Sequence, residues 1–241
     1  MKIPPCATWD PNGVTVAGNA NGNSGTNLRS LNKPVTIFID NNYALYVCDR
    51  DNHRVMKYYE NAVNGIIVAG DTGNPGSSAT RLNEPKGVAV DQEGGVVVAD
   101  SLNYRIQRFT PGSLTGVKIG HSTATTPLGE TRELRIDVNN VVYVTDSDYS
   151  RIVKFFPGSL VGTIVAGTAG TGPGANQFDK PYGTFVNESK ILYVADNGNH
   201  RIQRWMPEAN SGTTVAGITG SSGPGLKRLN TPIAVAVDNN G

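Results

Sequence analysis

The chain has 241 residues, a length that allows one or two domains with a sizeable hydrophobic core. It carries 21 Lys and Arg against 20 Asp and Glu, and the resulting net charge of +1 argues against a dedicated nucleic-acid-binding protein with its strong basic excess. Its 29 glycines and 14 prolines indicate many turns, and therefore many short elements of secondary structure.

The first recurring motif along the chain is Gly-x-x-Val-Ala-Gly, at residues 13–18. It returns at residues 65–70, 162–167 and 212–217, and a degenerate copy occupies residues 116–120. The final glycines of successive copies are separated by 47 to 52 residues. This spacing predicts a repeat architecture with a period of about 50 residues.

A second motif keeps the same phase in four copies. Each copy is an apolar run that ends in an aspartate, with an arginine five residues later and an aromatic residue nine residues later. The aspartate and arginine pairs are Asp49 and Arg54, Asp100 and Arg105, Asp146 and Arg151, and Asp196 and Arg201. These pairs could form a ring of charged ligand contacts, or they could stabilise the fold of each repeat. A single binding site has no need of four copies, so the structural role is favoured.

In that structural role, each aspartate is expected to accept a backbone N–H of the following turn as an Asx-turn. The arginine that begins the next strand then reaches the carboxylate with a charge-assisted hydrogen bond. If its carboxylate satisfies buried donors in this way, replacing Asp196 by alanine is expected to cost roughly 1–3 kcal/mol of stability.

Each period divides into four strand-like runs. The first follows a proline or its equivalent, the second ends in the aspartate, the third runs from the arginine to the aromatic residue, and the fourth leads into Val-Ala-Gly. The first two runs are almost continuously apolar, which is typical of strands buried on both faces. The pattern predicts an all-β fold, a β-propeller with four complete four-stranded blades and almost no helix. A solenoid is the main rival, but it usually needs a shorter period.

Two of the copies resemble a known repeat. Residues 45–55 and 192–202 contain Asp-Arg-Asp-Asn-His-Arg and Asp-Asn-Gly-Asn-His-Arg, and these runs are similar to NHL repeats, named for their Asn-His-Leu motif. The two middle copies lack the histidine. The resemblance covers essentially the whole chain and implies an NHL-type β-propeller of the six-bladed TolB-like superfamily. That family includes protein-binding and RNA-binding propellers, and related propellers are lyases or lactonases.

The two ends of the chain fall inside a blade. Residues 6–9 align with the third strand at residues 202–205, and residues 233–237 form a first strand without a second. We therefore interpret residues 1–241 as one incomplete propeller domain, four complete blades plus split terminal strands, and as a fragment of a six-bladed ring. Because the missing second strand breaks the ladder between the ends, an open arc is expected rather than a closed five-bladed ring.

One face of the propeller is predicted to carry the binding site. Strands alternate in direction, so the tips between second and third strands (residues 50–53, 101–104, 147–150 and 197–200) open on the same side as the loops between blades. We call this side the loop-bearing face. The candidate binding residues on its tips are His53, Tyr104, Tyr149 and His200. The three histidines of the chain are scattered, and neither a metal site, a catalytic residue nor a cofactor is predicted.

Signals of compartment are sparse. No apolar run reaches the roughly 20 residues that span a bilayer, so no membrane segment is predicted. The first residues lack the apolar stretch of a signal peptide, which slightly favours the cytoplasm. Cys6 and Cys48 do not make a disulfide framework, and two buried free thiols are expected.

The sequence therefore favours a non-catalytic binding or scaffold propeller that recognises a protein or peptide through its loop-bearing face. RNA is a weaker alternative, because the near-neutral charge does not favour it. The second alternative, implied by the resemblance, is a propeller enzyme of the amidating-lyase or lactonase type with a divalent metal in the central channel. The scattered histidines argue against the zinc lyase.

Overall fold

The computed structural model describes residues 10, 12–168 and 170–238. Within them the chain forms four antiparallel sheets of four strands, each sheet built from consecutive strands without a crossover. The strands are β1 (Pro34–Ile39), β2 (Leu45–Asp49), β3 (Arg54–Tyr58), β4 (Ile66–Gly70), β5 (Pro85–Val90), β6 (Val96–Asp100), β7 (Arg105–Phe109), β8 (Gly116–His121), β9 (Thr131–Ile136), β10 (Val142–Asp146), β11 (Arg151–Phe155), β12 (Thr163–Ala166), β13 (Pro181–Val186), β14 (Leu192–Asp196), β15 (Arg201–Trp205) and β16 (Thr213–Gly217). The expected four complete blades are confirmed, and we number them 1 to 4 in chain order.

Helical structure in the described residues is limited to three short 3₁₀ turns, Arg50–Asn52, Ser101–Asn103 and Asn197–Asn199. None of the described helices is long and apolar enough to cross a membrane. The scarcity of helix agrees with the sequence pattern, in which no window shows a capped helical period.

The central hairpin of every blade explains the five-residue spacing of the second motif. Its two strands pair without a bulge, and the aspartate that ends one lies directly opposite the arginine that begins the next, as for Asp49 and Arg54. A four-residue tip joins them, and its last residue has left-handed backbone, with φ of 55° at His53. The motif is therefore one tightly closed hairpin in each blade.

Apolar side chains fill the space between successive blades. Three clusters lie between blades 1 and 2, 2 and 3, and 3 and 4. The aromatic residue of the second motif belongs to these clusters: Phe109, Phe155 and Trp205 are buried and each packs against the preceding blade. The nine-residue spacing thus places one large apolar anchor at the end of each third strand.

The final glycine of the first motif has a clear steric reason. Gly70 ends β4 with φ of +86°, and a Cβ at this position would lie 2.3 Å from the carbonyl oxygen of His53. Only glycine combines this backbone conformation with so close an approach. The last strand of the blade is thereby seated against the hairpin tip.

The two ends of the described chain lie against different blades. Ala17 packs on the cluster of blade 1 that faces away from blade 2, whereas Val235 and Val237 pack on the far face of blade 4. No backbone hydrogen bond in the described part of the chain joins residues 12–18 to residues 232–238. This supports the open arc, which stays a prediction because residues 6–9 lie outside the described residues.

The prediction of strands near the two ends of the chain is not matched by the described residues. Residues 14–17 and 233–237 are described, but neither segment forms a strand. The physical reason is that an isolated run has no neighbouring strand to complete its hydrogen-bond ladder. Of the two cysteines, Cys48 is a free, fully buried thiol, and Cys6 lies outside the described residues.

Candidate functional site

The loop-bearing face carries the four predicted binding residues, one on each successive blade. Tyr104 and Tyr149 each expose 46% of their surface, whereas His53 and His200 are partly buried. The structure therefore places them around the rim of one face and does not gather them into a single cluster.

The two histidines make an inter-blade contact that the sequence did not reveal. Nδ1 of His53 accepts a hydrogen bond from the backbone N–H of Glu84 at 3.2 Å, and Nδ1 of His200 accepts one from Thr231 at 3.1 Å. Glu84 and Thr231 both have positive φ, 47° and 44°, and both precede a proline. The two imidazole rings thus hold the strained residues that precede β5 and the C-terminal segment. The role of His53 and His200 in binding stays a prediction.

The two tyrosines are better exposed for contact with a partner. Tyr104 stands where blades 1 and 4 have histidine, at the last position of its tip. Tyr149 stands one position earlier in blade 3, and the Arg151 guanidinium lies 4.7 Å from its ring centroid. Exposed tyrosines on a rigid support are typical of protein-binding surfaces.

The aspartate and arginine pairs are buried and form one network in each blade. The Nε to Oδ2 distances are 2.7, 2.6, 3.1 and 2.7 Å in blades 1 to 4. All four aspartate side chains are fully buried. In blade 1, Arg54 also donates to the carbonyl oxygens of Thr26, Asn27 and Ser30, so the pair fixes the loop that enters the blade.

The expected Asx-turn is replaced in three blades by a longer-range contact. The carboxylate of Asp49 accepts the N–H of Asn32 at 2.6 Å, seventeen residues earlier, and Asp100 and Asp196 repeat this contact. Asp146 makes both contacts: it accepts the N–H of Gly129, also seventeen residues earlier, and an N–H of its following turn, from Tyr149, each at 3.3 Å. Burial raises the pKa of Asp100, Asp146 and Asp196, an effect that the hydrogen bonds and the arginines oppose.

A cavity of about 440 Å³ opens near the propeller axis. Its walls include the second residue of each blade's first strand and the matching residue of the C-terminal segment, and we call it the axial cavity. These five residues are Val35, Lys86, Arg132, Tyr182 and Ile233. Arg50, from the tip of blade 1, also lines it. The axial cavity therefore borders the loop-bearing face.

Charged side chains converge on one side of the axial cavity. Oε1 of Glu130 accepts a hydrogen bond from Nζ of Lys86 and lies 3.2 Å from Nη1 of Arg132. The guanidinium of Arg132 also lies 4.7 Å from the ring centroid of Tyr182, which is a cation–π contact. Nε of Arg132 is buried and has no acceptor among the described residues.

A second ion pair lines the deeper wall of the axial cavity. Glu133 stands where blades 2 and 4 have glycine, and its carboxylate pairs with Arg135 and accepts the backbone N–H of Thr184 at 3.0 Å. Burial raises the pKa of Glu133, and Arg135 and the Thr184 N–H oppose this shift. The corresponding glycine in blade 4, Gly183, lets residues 233–234 approach: a Cβ there would lie 2.7 Å from the Cα of Ala234.

Within the part of the chain that the structure describes, no group of three or more His, Cys, Asp and Glu side chains has an arrangement that could hold a metal ion.

Comparison with protein families identifies the repeat. Residues 82–109 match the family model of the NHL repeat. Blade 2 therefore contains an NHL repeat, and the chain folds as a β-propeller. The matched NHL repeat contains three strands of blade 2, β5, β6 and β7, and thus one complete aspartate and arginine hairpin. No curated protein matches the chain.

Solved structures with the same fold include binding proteins and a lyase. A chain of the nidogen/laminin complex has a TM-score of 0.66 at 17% identity, with 88% of this NHL-repeat chain and 71% of that chain covered. An auxiliary nutrient binding protein from Bacteroides ovatus has a TM-score of 0.64 at 17% identity, with 90% and 56% covered.

A catalytically inactive virginiamycin B lyase from Staphylococcus aureus, solved with quinupristin, has a TM-score of 0.59 at 14% identity, with 88% of this NHL-repeat chain and 60% of the lyase covered. The chain spans less than two thirds of the length of this lyase and of the nutrient binding protein. At these identities the likeness shows the propeller fold alone.

Proposed function

We propose that this NHL-repeat propeller is a non-catalytic binding module that recognises a protein or peptide through its loop-bearing face. The axial cavity is the observation that carries the proposal. Its volume of about 440 Å³ lies within the range of about 300–1,000 Å³ that ligand pockets occupy. Its walls combine apolar residues with a few charged groups, which is the usual composition of a binding pocket.

The rigidity of the surrounding loops supports the same role. Arg54 and Arg201 each donate to three backbone carbonyls of the loop that enters their blade, so that loop is held before any partner arrives. A preorganised surface loses less conformational entropy on binding. Tyr104 and Tyr149 then supply exposed aromatic contact area on the same face.

The fold neighbours offer weaker support. One is a chain of the nidogen/laminin complex and another is named a nutrient binding protein. A binding role for those proteins makes the same kind of role reasonable for this propeller, although fold likeness alone does not fix function.

The test is a selection of peptides from a random phage-displayed library on the immobilised chain. Affinities of the retained peptides are then measured by biolayer interferometry. We expect the double variant Tyr104→Ala, Tyr149→Ala to weaken binding by about tenfold or more, because tyrosines are enriched among the residues that carry most of the energy of an interface. The matched control is Tyr43→Ala, Tyr59→Ala, which removes two exposed tyrosines from the opposite ends of the strands.

The control variant should bind like the wild-type chain. Loss of binding in the Tyr43 and Tyr59 variant, with full binding in the Tyr104 and Tyr149 variant, would place recognition on the opposite face. The proposed function would be contradicted altogether if the library yielded no peptide whose binding to the chain is saturable, that is, reduced by an excess of the same unlabelled peptide.

A further inference from the structure

Blades 1, 2 and 4 each bind the loop that enters them, their entrance loop, through the same five backbone groups. The hairpin arginine donates to three loop carbonyls. The asparagine that lies three residues after the aspartate donates to a fourth carbonyl, and the aspartate accepts one loop N–H. In blade 4 these groups are the carbonyls of Gly172, Pro173, Gly174 and Gln177 and the N–H of Asp179. Their constant spacing identifies a loop that accepts a hairpin.

A further loop with this spacing follows blade 4, and we call it the C-terminal entrance loop. It has glycine at its first position and proline at its tenth, as do the entrance loops of blades 1, 2 and 4: residues 223–232, 25–34, 76–85 and 172–181. The Arg228 N–H bonds to the Gly225 carbonyl at 2.8 Å, and the corresponding bond in blade 4 measures 3.2 Å. Gly223 has φ of +158°, and the corresponding Gly172 has +159°. The C-terminal entrance loop therefore has the shape of a loop that holds a hairpin.

The C-terminal entrance loop presents the same five backbone groups without a hairpin. They are the carbonyls of Gly223, Pro224, Gly225 and Arg228 and the N–H of Asn230. Among the described residues, no aspartate, asparagine or arginine side chain bonds to any of them, and the backbone supplies only the turn bond to Gly225. Leu226 is fully exposed, whereas Leu28, at the same position of blade 1, is 43% exposed. The loop is thus formed and accessible to a partner.

The segment after this loop is held where the first strand of a blade belongs. Val235 and Val237 pack on the far face of blade 4, but the segment has no strand partner in the described part of the chain. In blades 1, 2 and 4 the proline that begins the first strand is the register partner of the hairpin aspartate, as Pro181 is of Asp196. A hairpin that pairs with the segment in this register brings its aspartate opposite Pro232 and next to the loop N–H. Strand pairing and loop recognition therefore require the same register.

The four hairpins of the chain are already occupied. In every blade the arginine of the hairpin bonds to the aspartate and to its own entrance loop. A second copy of the chain would have to open one of its blades to supply a hairpin, whereas a separate polypeptide with an unoccupied hairpin would not. The C-terminal loop and segment therefore suit a donor other than this chain.

We propose that residues 223–237 bind a β-hairpin of another polypeptide that carries aspartate, asparagine three residues later, arginine five residues later and an aromatic residue nine residues later. The aspartate and arginine bind the C-terminal entrance loop, and the first strand of the hairpin pairs with residues 233–237. The aromatic residue packs on the far face of blade 4, as Phe109, Phe155 and Trp205 pack on the blade that precedes each of them. This inference goes beyond the proposed function, because it uses neither Tyr104 nor Tyr149.

The experiment uses a synthetic hairpin with the sequence of residues 192–205, closed by an added cysteine at each end. Leu192 and Trp205 are register partners, so the disulfide joins adjacent strand ends and lowers the entropy lost on binding. Fluorescence anisotropy of the labelled hairpin measures its affinity for the full chain, and we expect saturable binding. Arg201→Ala in the hairpin should weaken binding about tenfold or more, because the aspartate is then buried without its counter-ion. Arg204→Ala removes the same charge from an exposed position and is the matched control, which should bind like the unchanged hairpin.

Hydrogen exchange measured by mass spectrometry locates the site on the full chain. We expect the bound hairpin to slow exchange in residues 223–238, where the Asn230 N–H and the segment amides gain acceptors, and to leave the entrance loops of blades 1, 2 and 4 unchanged. The Tyr104→Ala, Tyr149→Ala variant should bind the hairpin like the wild-type chain, which separates this site from the proposed function.

Three results would overturn the proposal: no saturable binding of the closed hairpin, equal affinity of the two arginine variants, or slowed exchange only outside residues 223–238. Dimers of the chain that dissociate when the hairpin is added would overturn the assignment to another polypeptide, because a second copy would then supply the hairpin.

Discussion

Single aspartates hold the entrance loops of the blades. Asp196 is fully buried and accepts hydrogen bonds from Arg201, Asn199 and the backbone of Asp179. Removing it leaves a guanidinium that is 3% exposed without its counter-ion. The structure therefore places the expected cost of Asp196→Ala at the upper end of the sequence-based range, about 3 kcal/mol or more.

Chemical denaturation of the wild-type chain and of Asp196→Ala measures this cost directly. Asp71→Ala is the control, because Asp71 is 48% exposed and faces Arg81 at 3.7 Å, so its loss should cost about 0–1 kcal/mol. Equal midpoints for wild type and Asp196→Ala, combined with loss of peptide binding, would assign the carboxylate to recognition instead of stability.

At the scale of the element, the last strands of blades 1, 3 and 4 each end in one close backbone approach, at Gly70, Gly167 and Gly217. Gly70→Ala puts a Cβ 2.3 Å from the His53 carbonyl oxygen at φ of +86°. Gly73→Ala creates nearly the same strained backbone, φ of +72°, with nothing within 4 Å. The strain alone costs about 1–2 kcal/mol, and the overlap should add about 1–3 kcal/mol for Gly70→Ala only.

Urea titration of both variants separates the two terms. The difference between their free energies of unfolding is the contribution of the close approach between β4 and the hairpin tip. Equal destabilisation by Gly70→Ala and Gly73→Ala would mean that the strand end shifts freely and is not seated on the tip.

The strands could be predicted from the sequence because their signals are local. The aspartate and arginine of one hairpin are five residues apart and form a cross-strand pair, so a phase-locked motif is enough to place β2 and β3. The Asx-turn expectation failed in blade 1 because Asp49 bonds to Asn32, in a loop that shows no motif of its own.

The axial cavity could not be predicted from one repeat. Lys86, Arg132 and Tyr182 each follow the first residue of an inner strand, about 50 residues apart, and become neighbours only when the blades pack. A signal existed, since aligning the repeats puts them in one column. The sequence around each of these positions does not differ from that of an ordinary buried strand. The sequence therefore predicts binding residues only on the hairpin tips.

At the scale of the whole molecule, β1 carries an exposed apolar row. Val35, Ile37 and Ile39 point to one side of the strand and are 45%, 56% and 57% exposed. Exposed apolar rows of this kind promote association. We expect the chain to sediment faster at higher concentration, and Ile39→Asp to reduce this dependence.

Sedimentation velocity over a concentration series tests the prediction. Ile39 is chosen because it does not line the axial cavity, and Tyr43→Asp is the control, since Tyr43 is 63% exposed in the hairpin that follows. A sedimentation coefficient that stays constant with concentration, or that responds equally to both variants, would contradict the role of the row.

The aspartate and arginine networks have an evolutionary consequence. Apart from one bond from Arg54 to the Thr72 hydroxyl, just after β4, every hydrogen bond between these two side chains and the rest of the chain ends within 28 residues, in the entrance loop or the hairpin of the same blade. A duplicated repeat therefore contains the aspartate and arginine that hold its own entrance loop. Only its two apolar faces must be complementary to the neighbouring blades. This independence allows one copy to differ without rebuilding the others: blade 2 has Tyr104 where blades 1 and 4 have histidine, and blade 3 has Glu133 where blades 2 and 4 have glycine.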